Sequence, residues 1–411
     1  MTGKNFEVFS SPVEATEILR RVEPVVVQDL ESKMVFVAGP RQCGKTTLAE
    51  RLIRKRGGAY FSWDVPAHRR ALTAGLLPEG PRLWAFDELH KYRGWRNWLK
   101  GVFDLHRRTH EILVTGSARL DLYSHGGDSL QGRYFLHRLH PFTLGEVMRT
   151  RLSDDPEDWL EASADTSGKA QEVLEALLRF GGFPEPFLGS SDRRAARWRL
   201  AYGDRLVRED VRDLENLRSL DKIELLFERL AEGVGSVLSL NALREDLEVA
   251  FDTVSAWTGV LERLYAVFRL PPLGSPRIKA VKKEQKLYFW DWARVADEAA
   301  RFENLLVAHL VRLAHWLEDV HGERAEVRYA RDVVGHEIDA VVLRRGRPWL
   351  AVEAKLDDRP LDSGLRYFLE RVRIPHALQV SLRGKVDRRI PDIGGARVRL
   401  LPAATFLARL P

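Results

Sequence analysis

The run Gly39-Pro40-Arg41-Gln42-Cys43-Gly44-Lys45-Thr46 sets two glycines around a short loop and follows the second with a lysine and a hydroxyl, with another hydroxyl at Thr47. This spacing lets backbone N–H groups turn inward around a phosphate. The lysine then supplies a point charge to the β- and γ-oxygens, and the first hydroxyl can ligate Mg²⁺. An apolar run, Leu83-Trp84-Ala85-Phe86, ends in Asp87-Glu88. Behind a phosphate loop, the first carboxylate suits a magnesium ion held through water, and the second suits orienting or deprotonating the attacking water. A third apolar run ends Leu113-Val114-Thr115-Gly116-Ser117, where Thr115 or Ser117 could place a hydroxyl on the γ-phosphate or the water. A surface Asp-Glu pair or an ordinary strand end would explain either of the last two alone. Together with the complete loop they predict an ATP and Mg²⁺ site. Residues 39–47 and Asp87 would contact the nucleotide, Thr46 and Asp87 the metal, and Glu88, Thr115 and Ser117 the reacting water.

A second group lies far downstream: Glu303, then Ile338-Asp339, then Glu353-Ala354-Lys355. Glu353 and Lys355 alternate on one strand and share a face, and Asp339 on a neighbouring strand can join them. Carboxylates that hold Mg²⁺ beside a lysine are what metal-dependent phosphodiester cleavage needs. The same residues could instead form a silent core or a buried ion network. Between the two groups lies a basic run, Arg269, Arg277, Lys279, Lys282, Lys283 and Lys286 against Glu284. It suits phosphate contact without base readout, with Arg277 and the four lysines as DNA-binding candidates. Arg383, Lys385, Arg388, Arg389, Arg397 and Arg399 offer a second such surface, or simply a solvated face.

The elements that must position these residues follow from periodicity. A short helix within 12–31 leads into a strand at Met34–Ala38, and a helix runs from Lys45 to about Lys55. Apolar strands recur at 83–86 and 112–115, so the first ~150 residues predict an α/β layer with a parallel sheet. The polar stretch 153–168 marks a boundary, and 169–231 is helix-rich, broken at Gly181-Gly182-Phe183-Pro184. Helices at about 239–247 and 252–265 precede a hairpin from Arg269 to Lys286. In the second helix Val254, Trp257, Val260, Leu261 and Leu264 face the core. Beyond Arg301 one helix is followed by strands at 338–343, 348–354 and 376–382.

A chain of 411 residues exceeds one ordinary domain. Its single cysteine, Cys43, excludes an internal disulfide or a cysteine-rich zinc site. No apolar run is long enough to span a membrane, and the N-terminus has no charged-then-apolar leader, so a cytoplasmic location is expected. The net charge of +6 permits a polyanionic partner without requiring one. Arginine outnumbers lysine, 51 to 14. That favours bidentate phosphate contact, although a GC-rich genome explains it equally well.

GPRQCGKTTL, FDELHKYRGWRNWLKGVFD, VTGSARLDLYSHGGDSLQGRY and RLHPFTLGEV resemble the AAA+ ATPases of bacteria and archaea that carry a C-terminal restriction-nuclease-like domain of uncharacterised function. The resemblance covers essentially the whole chain and is densest in the first 150 residues. It implies an AAA+ P-loop ATPase core over 1–150, a helical lid over 151–215, and a winged-helix domain over 216–295. A PD-(D/E)xK nuclease-like α/β domain would follow over 296–411, with Asp339, Glu353 and Lys355 in the signature positions and Glu303 as the helical acid. In such ATPases an arginine before the fifth strand reaches the neighbouring subunit's γ-phosphate. By position that is Arg133, which makes Arg133 a catalytic candidate and implies a homo-oligomer, a hexameric ring among its forms. A second sensor arginine would fall among Arg193, Arg194 and Arg197. The function expected is ATP hydrolysis coupled to remodelling of structured DNA, forks or junctions, without sequence specificity. An ATP-gated nuclease and a nucleotide switch that binds protein partners are the alternatives.

Overall fold

The computed structural model describes residues 18–80, 82–116, 130–161, 168–211, 219–274 and 285–411. Ser117, Arg277, Lys279, Lys282 and Lys283 lie outside them. The N-terminal module is a five-stranded, all-parallel sheet: β1 Met34–Ala38, β2 Gly58–Ser62, β3 Leu83–Asp87, β4 Glu111–Gly116 and β5 Tyr134–Arg138, in the order β2-β3-β4-β1-β5. β1, β3 and β4 are buried throughout, as interior strands of a parallel sheet covered on both faces must be. Their continuous apolar runs are why the sequence reveals them. The edge strand β2, half-exposed and starting at a glycine, is one that periodicity does not show. Helices α1 Glu23–Leu30, α2 Lys45–Arg56, α3 Pro66–Thr73 and α4 Trp95–His106 surround this sheet. Of the predicted helix at 12–31, residues 12–17 lie outside the described residues and the rest contains α1, with Pro24 in its first turn.

A helical segment comes next: α5 Leu144–Met148, α6 Asp158–Glu161, α7 Gly168–Phe180, α8 Pro184–Gly189 and α9 Asp192–Arg205, ending in a π-helical turn at Leu206–Val211. Then come α10 Leu220–Glu232, α11 Leu240–Asp246, α12 Phe251–Arg263 and an antiparallel pair, β6 Val267–Leu270 with β7 Lys286–Phe289. The order helix, helix, hairpin matches the expectation, and all five residues assigned to the inner face of α12 are buried.

The long helix α13, Glu298–Asp319, starts at an Asp297 cap whose side chain accepts the Ala300 N–H at 2.8 Å. It lies against a six-stranded mixed sheet, order β12-β13-β11-β10-β9-β8, made of β8 Ala325–Arg331, β9 Glu337–Arg344, β10 Arg347–Lys355, β11 His376–Ser381, β12 Arg388–Ile393 and β13 Ala396–Pro402. The predicted strands become β9, β10 and β11, while the largely buried β8, the exposed β12 and the late β13 are not apparent from periodicity. Helix α14, Ser363–Leu369, covers a second, smaller core on this sheet. The last helix, α15 Ala403–Leu407, returns to pack against α5 and α7. Gly145 in α5 is needed there, because a Cβ would lie 2.5 Å from the Leu410 carbonyl oxygen. One hydrophobic core consequently runs without a break from strands β1, β3 and β4 to Leu410. Among the described residues no helix is long and apolar enough to cross a membrane.

Candidate nucleotide site

The sheet order reverses around β1, and the loop from β1 to α2 opens at the C-terminal ends of the strands, where α/β sheets place their ligands. The loop fits its surroundings tightly: a Cβ at Gly39 would fall 2.0 Å from the Leu139 carbonyl oxygen, so only glycine fits. Gly44 has φ +99° and caps α2 in the left-handed region that glycine adopts freely. Gln42 also has positive φ, 62°, and its side-chain oxygen accepts the Trp198 Nε1–H of α9 at 2.8 Å. The helical segment therefore holds the loop directly. Lys45 is buried, and its Nζ donates to the carbonyls of Gly39 (3.0 Å) and Pro40 (2.6 Å).

Three hydroxyls converge on Asp87. Thr46 Oγ1 donates to Oδ2 at 3.2 Å, Tyr60 Oη to Oδ2 at 2.5 Å, and Thr115 Oγ1 to Oδ1 at 2.5 Å. The expectation for Thr115 was contact with the γ-phosphate or the water. Its hydroxyl is buried and donates to Asp87. Tyr60 belongs to β2 and is hidden from sequence reasoning along with that strand. Burial, then its bond to Asp87, raises the phenol well above its usual range, so it stays a donor. Glu88 adopts φ +54°, unusual for a non-glycine residue, with its N–H on the Thr115 carbonyl at 2.9 Å. This left-handed turn gives the two adjacent carboxylates different directions from those of an extended strand. The Glu88 carboxylate lies 3.5 Å from Lys91 Nζ and 3.6 Å from His90 Nε2. Burial holds the His90 imidazole below its ordinary value.

Arg133 directly precedes β5, as expected, and its Nε pairs with Asp104 of α4 at 2.9 Å. Arg193, Arg194 and Arg197 all lie exposed on α9. The contact of α9 with the loop is made by Trp198.

In the C-terminal half the four predicted residues do come together, beside a cavity of about 360 Å³ lined also by Gly235 and Ser236. Asp339 Oδ2 accepts the Ala354 N–H at 2.8 Å, and Lys355 Nζ donates to Glu353 (2.8 Å) and Asp362 (2.9 Å). Burial, then the Glu303 and Glu353 carboxylates, hold the Asp339 carboxyl well above the usual carboxylate range. Lys286 was expected on a DNA-facing wing, and the structure corrects this. It is 1% exposed, and its ammonium lies 3.1 Å from Glu303, beside Glu337 and 4.0 Å from Asp339. Tyr288 Oη adds a bond to Glu303 at 2.7 Å, and the Asn304 side chain clamps the Phe289 N–H and carbonyl. Lys286 thus neutralises Glu303 and Glu337 and reaches the edge of Asp339. Among the described residues no group of three or more His, Cys, Asp or Glu side chains is arranged to hold a metal ion. Lys286→Met is expected to destabilise the protein by about 3–5 kcal/mol, because three acids lose their shared cation. Urea unfolding checks this, and a loss under about 1 kcal/mol would count against the pairing.

On the second basic surface most of the arginines are ion-paired. Arg383 pairs with Glu298 and Asp357, Arg389 and Arg397 with Glu161, and Arg399 with Asp387 and the Leu160 carbonyl. Arg389, Arg397 and Arg399 thereby tie α6 to the C-terminal sheet. All of this set except Arg399 is exposed.

Residues 31–148, which hold the loop, Asp87-Glu88 and all five strands, match the family model described as an AAA domain. This module is an AAA-type P-loop ATPase domain. Residues 171–297, from α7 through β7, match a domain of unknown function. The chain is similar to an uncharacterised protein of Methanocaldococcus jannaschii, 24% identical over 310 residues, covering 66% of this chain and 64% of that one. An uncharacterised protein of Mycobacterium tuberculosis is 24% identical over 260 residues, covering 63% and 54%. The chain thus spans between half and two thirds of these relatives' length. Among solved structures, a STAND ATPase with a tetratricopeptide repeat sensor from Pyrococcus horikoshii is 13% identical, with a TM-score of 0.23, over 74% of this chain and 48% of that one. C. elegans PCH-2 is 15% identical, with a TM-score of 0.20, over 44% and 67%.

Proposed function

We propose that the protein hydrolyses ATP with Mg²⁺, that a second copy of the chain completes the site with Arg133, and that turnover drives remodelling of DNA. The observation that carries the hydrolytic step is the convergence of Thr46, Tyr60 and Thr115 on Asp87. Thr46 and Asp87 offer two hard oxygen donors 3.2 Å apart at the mouth of the phosphate loop, which fits magnesium with phosphate oxygens and water as its remaining ligands. Magnesium, when bound, neutralises the charge that grows on the phosphates. Thr115 and Tyr60 fix the orientation of Asp87. Lys45 exchanges the Gly39 and Pro40 carbonyls for phosphate oxygens. Glu88 takes the proton of the attacking water.

Movement leaves the site through α13. Arg138 of β5, five residues beyond Arg133, pairs with Glu318 (2.8 Å) and Asp319 at one end of α13, and Glu303 near the other end holds Lys286 of the hairpin. DNA as the recipient rests on the cationic run Arg277–Lys283, which the sequence places between the residues of β6 and β7. Its contacts would be to phosphates, so forks and junctions suit it better than a base sequence. The cytoplasm is the compartment in which such a substrate would be met.

ATPase rates measured with fork, junction and duplex DNA at low salt test the proposal. Structured DNA is expected to raise the rate several-fold, and Arg133→Ala to keep ATP binding while losing turnover that depends on protein concentration. Normal hydrolysis by Arg133→Ala would remove the trans-acting finger. A rate indifferent to every DNA, with no gel shift, would remove the DNA.

A further inference from the structure

Arg20 lies outside every motif of the nucleotide site, yet it is 6% exposed and reaches the phosphate loop. One guanidinium nitrogen donates to the Cys43 carbonyl at 2.7 Å and the other to the His140 carbonyl, while Nε donates to Glu146 at 3.2 Å. The guanidinium stacks over the Phe142 ring, 5.0 Å from its centre, and lies 3.6 Å from where a Gly44 Cβ would be. In a planar trans peptide the C=O and N–H point in opposite directions. Drawing the Cys43 carbonyl toward Arg20 therefore turns the Gly44 N–H away from Arg20, toward the concave side of the loop where phosphate is cradled.

Glu146 is fully buried and receives more than Arg20. It accepts the Arg21 N–H at 3.0 Å and two bonds from Arg312 of α13, at 3.0 and 2.8 Å. The chain of contacts runs from α13 through Glu146 and Arg20 to a peptide of the phosphate loop. Each link is a charge-assisted bond that burial strengthens.

We propose that Arg20 is a positioning residue for phosphate binding, that it holds the Cys43–Gly44 peptide with its N–H toward the phosphate, and that Arg312 on α13 tunes this hold through Glu146. The proposal rests on the loop binding ATP, so Lys45→Ala serves as the separate control. If wild type and Lys45→Ala bound ATP equally, the nucleotide site itself would be wrong rather than the role of Arg20.

Fluorescent-ATP titration and steady-state hydrolysis of the full chain, with thermal unfolding alongside, decide the matter. Arg20→Ala is expected to raise Kd and KM about tenfold to a hundredfold with kcat within about threefold, as loss of a charged hydrogen bond predicts. Arg20→Lys, which restores one donor but not the fork, is expected to recover part of the affinity. Arg312→Met should weaken ATP binding in the same direction, although Arg312 belongs to α13. A purely structural role would lower the melting temperature and leave Kd of the folded protein unchanged, and that result would overturn the proposal. Should Arg20→Ala fail to fold, unchanged Kd in both Arg20→Lys and Arg312→Met would overturn it equally.

Discussion

Glu88→Gln is expected to bind ATP as wild type does and to hydrolyse it about 10²- to 10⁴-fold more slowly, the range general bases contribute. Glutamine keeps the volume and the acceptor that face Lys91 and His90, so the neighbours need not move. The backbone stays in place as well. The left-handed turn at residue 88 is fixed by its N–H on the Thr115 carbonyl, a bond that the substitution does not touch. What disappears is the ability to accept a proton from water. Single-turnover hydrolysis with excess enzyme isolates that step from product release, and a rate within about threefold of wild type would show that another group is the base. The magnitude also separates Glu88 from Asp87. Loss of the latter disperses three hydroxyls at once and is expected to weaken nucleotide binding itself.

The second large effect is on stability. Glu146→Ala is expected to destabilise the chain by about 3–5 kcal/mol, because Arg20 and Arg312 would be left as buried charges without their shared partner. Burial alone would push this carboxyl up, but the guanidiniums of Arg20 and Arg312, with the Arg21 N–H, outweigh it and hold it far below the ordinary carboxylate range. The sign of the pH dependence is then determined. A depressed folded-state pKa stabilises above the unfolded value, and the contribution is lost as pH falls from about 4 toward the folded value. Urea unfolding of wild type and Glu146→Ala at pH 7 and at pH 3 should therefore show the gap narrowing in acid. A gap of the same size at both values would refute the assignment.

The legible parts of this protein are those in which chemistry is encoded locally. Glycine, lysine and threonine must follow one another in the phosphate loop because one turn of backbone presents them all. The residues of Asp87-Glu88 are announced by the apolar strand before them. Glu353 and Lys355 could be placed on one face from the strand period alone. The positive φ at Glu88, which separates the two carboxylates, has no signature in residue type. Tyr60 was hidden because Gly58–Ser62 is a short edge strand whose burial is incomplete. Arg20 and Glu146 are separated by 126 positions, and each looks like an ordinary surface charge in its own neighbourhood. Lys286 shows the same limit from the other side. A lysine at the end of a cationic run reads as solvated, and only the non-local approach of Glu303, Glu337 and Asp339 makes it an interior residue. Periodicity reports which face a residue takes, and partners far along the chain decide what that face meets.

The return of α15 onto α5 bears on how the protein comes into being. A nascent chain emerging from the ribosome can form the five parallel strands early, since all their residues lie before position 139. Glu146 nonetheless waits for Arg312, and residues 408–410 close over Gly145 beside the Arg21 guanidinium. The nucleotide site is thus braced late, once translation has passed residue 410. A prematurely terminated or proteolytically shortened product would carry the phosphate loop without that support.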